Sequence, residues 1–217
     1  MLTEFYPQEF FDLEECFFKD LFKKNEPVWI ALKNLKNYLD DAPLGKREIS
    51  LPSTVTLVNP SLIAIGKGCK IYPGAYIEGP CIIGKEVEIG HCAFIRPYSL
   101  IGDFCKIGHA TEVKHSIFFN HAKAPHFNYV GDSILGCDVN LGAGVICANY
   151  KITKKEVFVR QGNNKIPTEM KKFGAIIGDG SSLGCNSVTN PGTILRKGFL
   201  CKPCTNVQGS LLNKGEK

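Results

Sequence analysis

The sequence lacks any apolar run near the roughly 18 residues that a membrane-spanning helix needs. Its start, MLTEFYPQEFF, also lacks the basic stretch and unbroken apolar core of a secretory signal. No low-complexity tract interrupts the 217 residues, of which 22% are charged and 44% hydrophobic, a balance that excludes wholesale disorder. The net charge of +5 comes without an Arg-rich block or aromatics interleaved with the lysines, so it reads as solvated surface rather than a nucleic-acid interface. No second cysteine pair completes the CKPC motif of Cys201 and Cys204, and metal or redox chemistry is not expected there. Without a secretory signal, the ten cysteines read as reduced thiols. These absences lead to the expectation of a cytoplasmic globular protein with neither membrane nor nucleic-acid partner.

What is present is periodic. Every sixth residue from Ile65 is a β-branched aliphatic: Ile71, Ile77, Ile83, Ile89, Ile95, Ile101, Ile107 and Val113 follow. Two residues before these positions sit mostly compact side chains, among them Cys69, Cys81 and Cys105, which act as small hydrophobes when buried. A period of six matches neither a helix nor a half-buried strand, but it matches the hexapeptide repeat of a parallel β-helix. Three hexapeptides close a triangular coil, with aliphatics stacking inward at one strand spacing of about 4.8 Å. The beat returns at Leu135, Leu141 and Cys147, then at Ile177, Leu183, Thr189 and Leu195, which predicts about six coils.

Two interruptions, about 115–130 and 151–172, are expected as external loops, where solenoids carry function. Residues 1–48 follow another rule: Phe10, Leu13, Phe17 and Leu21 have helical spacing, as do Val28, Leu32, Leu35 and Leu39, with Pro27 suited to a helix start. The acidic Glu9, Asp12, Glu14 and Glu15 disfavour an anionic membrane surface, so this segment is expected as a cap or a subunit contact.

Residues 18 apart share a corner of successive coils. One corner reads Glu78, Arg96, Lys114. Two cations one strand spacing apart repel by about 1 kcal/mol in water and about 4 in a partly screened groove. Either a bound phosphate or a surface ladder with Glu78 offsets that repulsion, and an Arg fork beside a Lys point charge suits a phosphate. His126 follows twelve residues after Lys114, near Tyr129, Asp132 and Asn140, and is the candidate general base.

The run IRPYSLIGDFCKIGHATEVKHSI, continued by HAKAPHFNYVGDSILGCDVNLGAGVICANY, resembles the left-handed β-helix acetyltransferase domain of the bifunctional N-acetylglucosamine-1-phosphate uridylyltransferase/glucosamine-1-phosphate N-acetyltransferase. The R-P, E-V-K, H-x-x-Y-x-G-D, V-N-x-G-A-G and N-Y elements occur in the family's order over residues 55–150, while 174–205 match as generic repeat. The resemblance implies a mainly β fold, a left-handed parallel β-helix over 49–210. It implies acetyl-CoA as co-substrate, an amino-sugar phosphate such as glucosamine 1-phosphate as acceptor, and a place in the route to UDP-N-acetylglucosamine. By the same resemblance Arg96 and Lys114 hold the sugar phosphate, Tyr129 and Asn140 contact the sugar, and His126 deprotonates the attacking amine. Asn149, Tyr150 and Ala143, within Gly142-Ala143-Gly144, stand near acetyl-CoA. Homotrimers with sites between subunits are implied, no metal is needed, and nucleotidyl transfer falls to a separate nucleotidylyltransferase because the uridylyltransferase half is absent from this chain. After the N-Y pair the family's Asp-Gly is replaced by KITKKEV, so either Lys154 or Lys155 takes the part of the substrate-reaching lysine. The segment KFGAIIGDGSSLGCNSVTNPGTIL is more similar to related sugar-phosphate nucleotidylyltransferases.

Three other readings stay open. An acyltransferase loading a longer chain onto a nucleotide sugar would need an apolar groove, which Phe118, Phe119 and Phe127 are placed to line. A metal hydrolyase of the γ-carbonic-anhydrase kind would use His91, His121 and His126. A non-catalytic trimeric scaffold would keep the motifs without turnover.

Overall fold

The computed structural model describes residues 2–14, 16–211 and 213. The hexapeptides wind into a left-handed parallel β-solenoid of about eight turns, two more than the interrupted beat suggested. Each coil gives one short strand to each of three faces. The first face stacks seven strands, from Ile63–Ile65 to Thr193–Leu195; the second stacks seven, from Lys70–Ile71 to Leu200–Cys201. The third stacks eight, from Thr56–Val58 to Asn206–Val207.

The inward column holds the expected aliphatics, each worth about 1.5–3 kcal/mol on full burial. Where one face contributes the bulky Phe118, the next contributes Ala124, so the prism keeps its cross-section.

The expected loop at 115–130 does not exist. Those residues form the strands Ile117–Phe118, Lys123–His126 and Tyr129–Gly131, wound into the prism with Phe118, Ala124 and Val130 inward. The beat is hidden in the sequence because two of its steps are five residues long, Val113 to Phe118 and Val130 to Leu135. Strand register therefore shortens from 18 (Cys81 with Ser99) to 17 (Leu100 with Ile117, then Ile117 with Ile134).

The second interruption is a β-hairpin, Val157–Gln161 against Asn164–Met170. Near the N-terminus the first expected helix is replaced by three 3-10 turns, Thr3–Phe5, Pro7–Glu9 and Lys19–Leu21, and only the second forms, as α1 (Ile30–Asp40). The physical reason is that the adjacent Phe10 and Phe11 are both buried, as are Phe5, Phe18 and Phe22. A helix with one buried stripe cannot hide neighbours on opposite sides. This segment lies along the first face, packing on its outward Leu100, Ile117, Ile134, Ile176 and Ile194 together with Val157 and Val159 of the hairpin. Phe11 stacks on Phe119 at 4.5 Å and Phe18 meets the same ring edge-on at 5.1 Å. Asp179 pins the segment by accepting from Asp12 N at 2.7 Å.

Candidate functional site

The corner between the third and first faces carries the polar chemistry. Arg96 N donates to Val113 O, and Ile95 lies beside Val113, so Arg96 sits directly under Lys114 as the 18-residue spacing predicts. Both shortened steps fall on this corner, at Lys114-His115-Ser116 and Gly131-Asp132-Ser133. His115 and Asp132 turn it with left-handed backbone, φ 47° at each, and the buried Ser99, Ser116 and Ser133 donate to main-chain carbonyls along it. The one-residue contraction sets Asp132 in reach of two positions in the coil below.

Asp132 is the hub. Its carboxylate, buried in the corner, accepts from Lys114 Nζ at 2.9 Å and from Asn149 Nδ2, while His115 Nδ1 stands 3.1 Å from its other oxygen. Burial pushes the carboxyl up, but His115, Lys114 and Asn149 together outweigh it and hold the group below the usual aspartate range. Arg96 Nη1 pairs with Glu112 Oε1 at 2.8 Å, so Glu112 takes the place expected of Glu78. The Tyr129 hydroxyl accepts from Asn149; burial first, then Glu112 and Asp132, raise its pKa and keep it a hydrogen-bond donor at neutral pH. Gly131 is required beneath them, because a Cβ there would lie 2.6 Å from Tyr129 Oη and 2.7 Å from Asn149 Nδ2. Arg96, Pro97, Tyr98, Lys114, His115 and Asp132 line a cleft of about 320 Å³.

Within one chain the predicted residues divide between two edges of the third face. Arg96, Lys114, Tyr129 and Asn149 converge on the corner just described, and Tyr150 follows Asn149. His126 belongs to the other edge, between the second and third faces. It ends the strand Lys123–His126 opposite His109, whose ring stacks on His91 at 4.0 Å. Gly144 N donates to His126 O, which puts Ala143 beside it, and Asn140 pairs with Lys123 on the second face. A cleft of about 250 Å³ there is lined by Tyr72, Glu88, His91, Lys106, His109 and His126 among others.

Three sequence readings are corrected. Phe118 lies inside the prism and Phe119 under the N-terminal segment, both fully buried, so neither lines a groove for a long acyl chain. His121 stacks on Phe104 at the start of the strand that His126 ends, so these two do not converge with His91 as a ligand set. Lys154 and Lys155 stay on the exposed stretch before the hairpin, away from the corner, and it is Lys172 whose backbone bridges Tyr150. The sequence reading did not single out His115, and it named Asp132 only as a neighbour of His126.

Residues 77–164 match the family model described as the GMPPB C-terminal domain. The chain is 42% identical over 130 residues to the "Bifunctional sugar-1-phosphate nucleotidylyltransferase/acetyltransferase" of Sulfurisphaera tokodaii, covering 60% of this chain and 32% of that protein. It is 49% identical over 105 residues to the "Bifunctional protein GlmU" of Bacillus cytotoxicus, covering 48% and 19%. Against the protein of the same name from Carboxydothermus hydrogenoformans it is 28% identical over 214 residues, covering 78% and 46%. The chain thus spans less than half the length of each of these relatives. Its solenoid is similar in sequence to part of proteins named as bifunctional sugar-1-phosphate nucleotidylyltransferase/acetyltransferases, and over residues 77–164 to the GMPPB C-terminal domain.

Proposed function

We propose that the chain is an acetyl-CoA-dependent N-acetyltransferase acting on an amino-sugar phosphate, with glucosamine 1-phosphate as acceptor. The observation that carries this reading is the Arg96–Lys114 corner opening into a cleft beside Tyr129 and Asn149. The Arg96–Glu112 pair is about a third exposed on both sides, so it is weak and a phosphate can displace Glu112. Asp132 is buried and stays, orienting Lys114, whose remaining donors face the ligand.

The base is His126, supplied by a neighbouring copy. The first face is covered by the N-terminal segment, and the second presents Lys70, Glu88, Lys106 and Lys123. The third presents the exposed Tyr76 and Val188 and the half-buried Phe94, Tyr129 and Ile146, the most apolar of the three for another copy to cover. A cyclic, heterologous contact sets one edge of this face against the opposite edge of the next. In a homotrimer that brings one protomer's His126 to its neighbour's Arg96 and Lys114. The amine of the sugar attacks the thioester carbonyl, its proton passes to the His126 imidazole, and the C–S bond breaks to release the coenzyme thiolate, which takes that proton. Asn140 and Ala143 lie on the His126 edge, Tyr150 on the phosphate edge, all within reach of such an interface.

Acetyl-CoA consumption against a panel of amino-sugar phosphates tests the activity. His126→Ala is expected to lower the rate at least about a hundredfold with the trimer intact. Mixed trimers of His126→Ala and Arg96→Ala chains are expected to regain activity, since some interfaces then join two intact halves. An unchanged His126→Ala rate, or no recovery on mixing, contradicts the assignment.

A further inference from the structure

The hairpin Val157–Gln161/Asn164–Met170 raises an electrostatic question of its own. Arg160 lies directly across the ribbon from Lys165. Like charges in that position destabilise a strand pair. Lys151 joins them: together with Phe158, Pro191, Gly192, Gln208, Gly209 and Ser210 these cations line a cleft of about 200 Å³ between the hairpin and the last coils. Among the described residues no carboxylate pairs with any of the three. Lys151 Nζ donates to the neutral Glu156 carbonyl at 2.7 Å, and the Glu156 carboxylate accepts instead from Glu169 N. Glu169 is held by Lys33, and Glu4 by Arg196 and Gln161.

The cleft is also structurally fixed. Ser210 Oγ accepts from Arg160 N at 3.0 Å and donates to Gly192 O at 3.3 Å, tying the hairpin to the final turns. At its mouth Phe158 is 40% exposed, with Lys151 Nζ 5.3 Å from its ring centroid. Three cations with no carboxylate partner among the described residues, beside a partly exposed aromatic ring, suit an anionic ligand with a flat heterocycle. Gly192 and Gly209 continue the Arg96–Lys114–Asp132–Asn149 corner by two further coils, which places the cleft about 10 Å beyond Asn149 along the prism.

We propose that this cleft binds the phosphorylated adenosine end of the coenzyme A donor, its phosphates on Arg160, Lys165 and Lys151 and its base against Phe158. The choice of donor rests on the acetyl-transfer reading; the anion site rests on the hairpin alone. An extended pantetheine arm then runs along the coils from this cleft to the reacting amine.

The test uses Arg160→Ala/Lys165→Ala in the full chain, which leaves the buried Val157 and Val159 in place; circular dichroism and trimer mass confirm folding. Titration calorimetry with adenosine 3′,5′-bisphosphate is expected to show binding that the double variant weakens about tenfold or more for each cation lost. In the transfer assay KM for acetyl-CoA rises by a similar factor with kcat within about twofold, whereas KM for acetyl-dephospho-CoA changes less. Equal bisphosphate affinity in both proteins overturns the site. Binding of a uridine diphosphate sugar that depends on these cations, with the bisphosphate showing none, overturns the choice of donor. Bisphosphate binding lost in the variant, in a protein that transfers no acetyl group, supports the site while the activity reading fails; an active enzyme with unchanged KM does the reverse.

Discussion

Removing Asp132 isolates the interaction that holds Lys114 at its corner. Lys114 is 19% and Asp132 6% exposed at the side chain, so Asp132→Ala leaves an ammonium largely enclosed without its counter-ion. Breaking a fully buried pair costs about 3–5 kcal/mol; the partial exposure of Lys114 reduces that to about 2–3. Part of the loss belongs to Asn149 and His115, so a double-mutant cycle is required. Lys114→Met keeps the aliphatic stem and removes the charge. Urea unfolding at neutral pH and fixed protein concentration is expected to show Asp132→Ala costing about 2–3 kcal/mol, with the double variant less destabilised than the sum by at least about 1. Glucosamine 1-phosphate should restore part of the single variant's loss, because a ligand binding only the folded state stabilises it. A cost below about 1 kcal/mol, or single effects that add within about 0.5, refutes the view of Asp132 as the fixed partner of Lys114.

Acid should reveal the same group. The folded carboxyl titrates below its unfolded value, so the unfolded state takes up the proton first as pH falls. Its stabilisation is full at neutral pH and drains away below about pH 4; Asp132→Asn should flatten that limb of an unfolding profile, and parallel profiles would contradict the sign. Thiol reactivity is expected to divide by burial: Cys92, Cys185 and Cys204 are exposed and should react quickly with an aromatic disulfide reagent. Burial pushes Cys81 up to about 12 and Cys147 up to about 11, so these should stay silent until denaturant is added. Phe119→Ala removes the ring under Phe11, Phe18 and Phe22 and should cost about 3–5 kcal/mol, with early proteolysis within the first forty residues as the readout.

The solenoid was legible because its rule is local: one inward aliphatic per hexapeptide is visible without knowing the partner strand. The same rule placed Arg96 under Lys114 correctly. It failed where the step changed to five, since a missing residue at a corner and an inserted loop both look like a lost beat. His126 was therefore assigned to a loop that does not form. Asp132 was noticed only as a neighbour of His126, because its partners Lys114 and His115 become close only after the contraction. The N-terminal segment misled differently. Helical spacing over Phe10, Leu13, Phe17 and Leu21 describes one stripe, but Phe11 and Phe22 also needed cover, and that demand comes from the outward side chains of the first face. The hairpin was hidden because its buried valines are two among many polar residues.

The pair of five-residue steps behaves like a vernier. Between Ile77 and Val113 the graduations along the corner fall every 18 residues, and over the next two coils every 17, so side chains that would have drifted past one another come into coincidence at Asp132. A parallel coil tolerates such subtraction because its neighbours need only a matching strand, not a matching bend. Deleting or restoring one corner residue therefore retunes which side chains meet along that edge while the aliphatic column stays untouched, a way for this scaffold to alter its polar surface without rebuilding its interior.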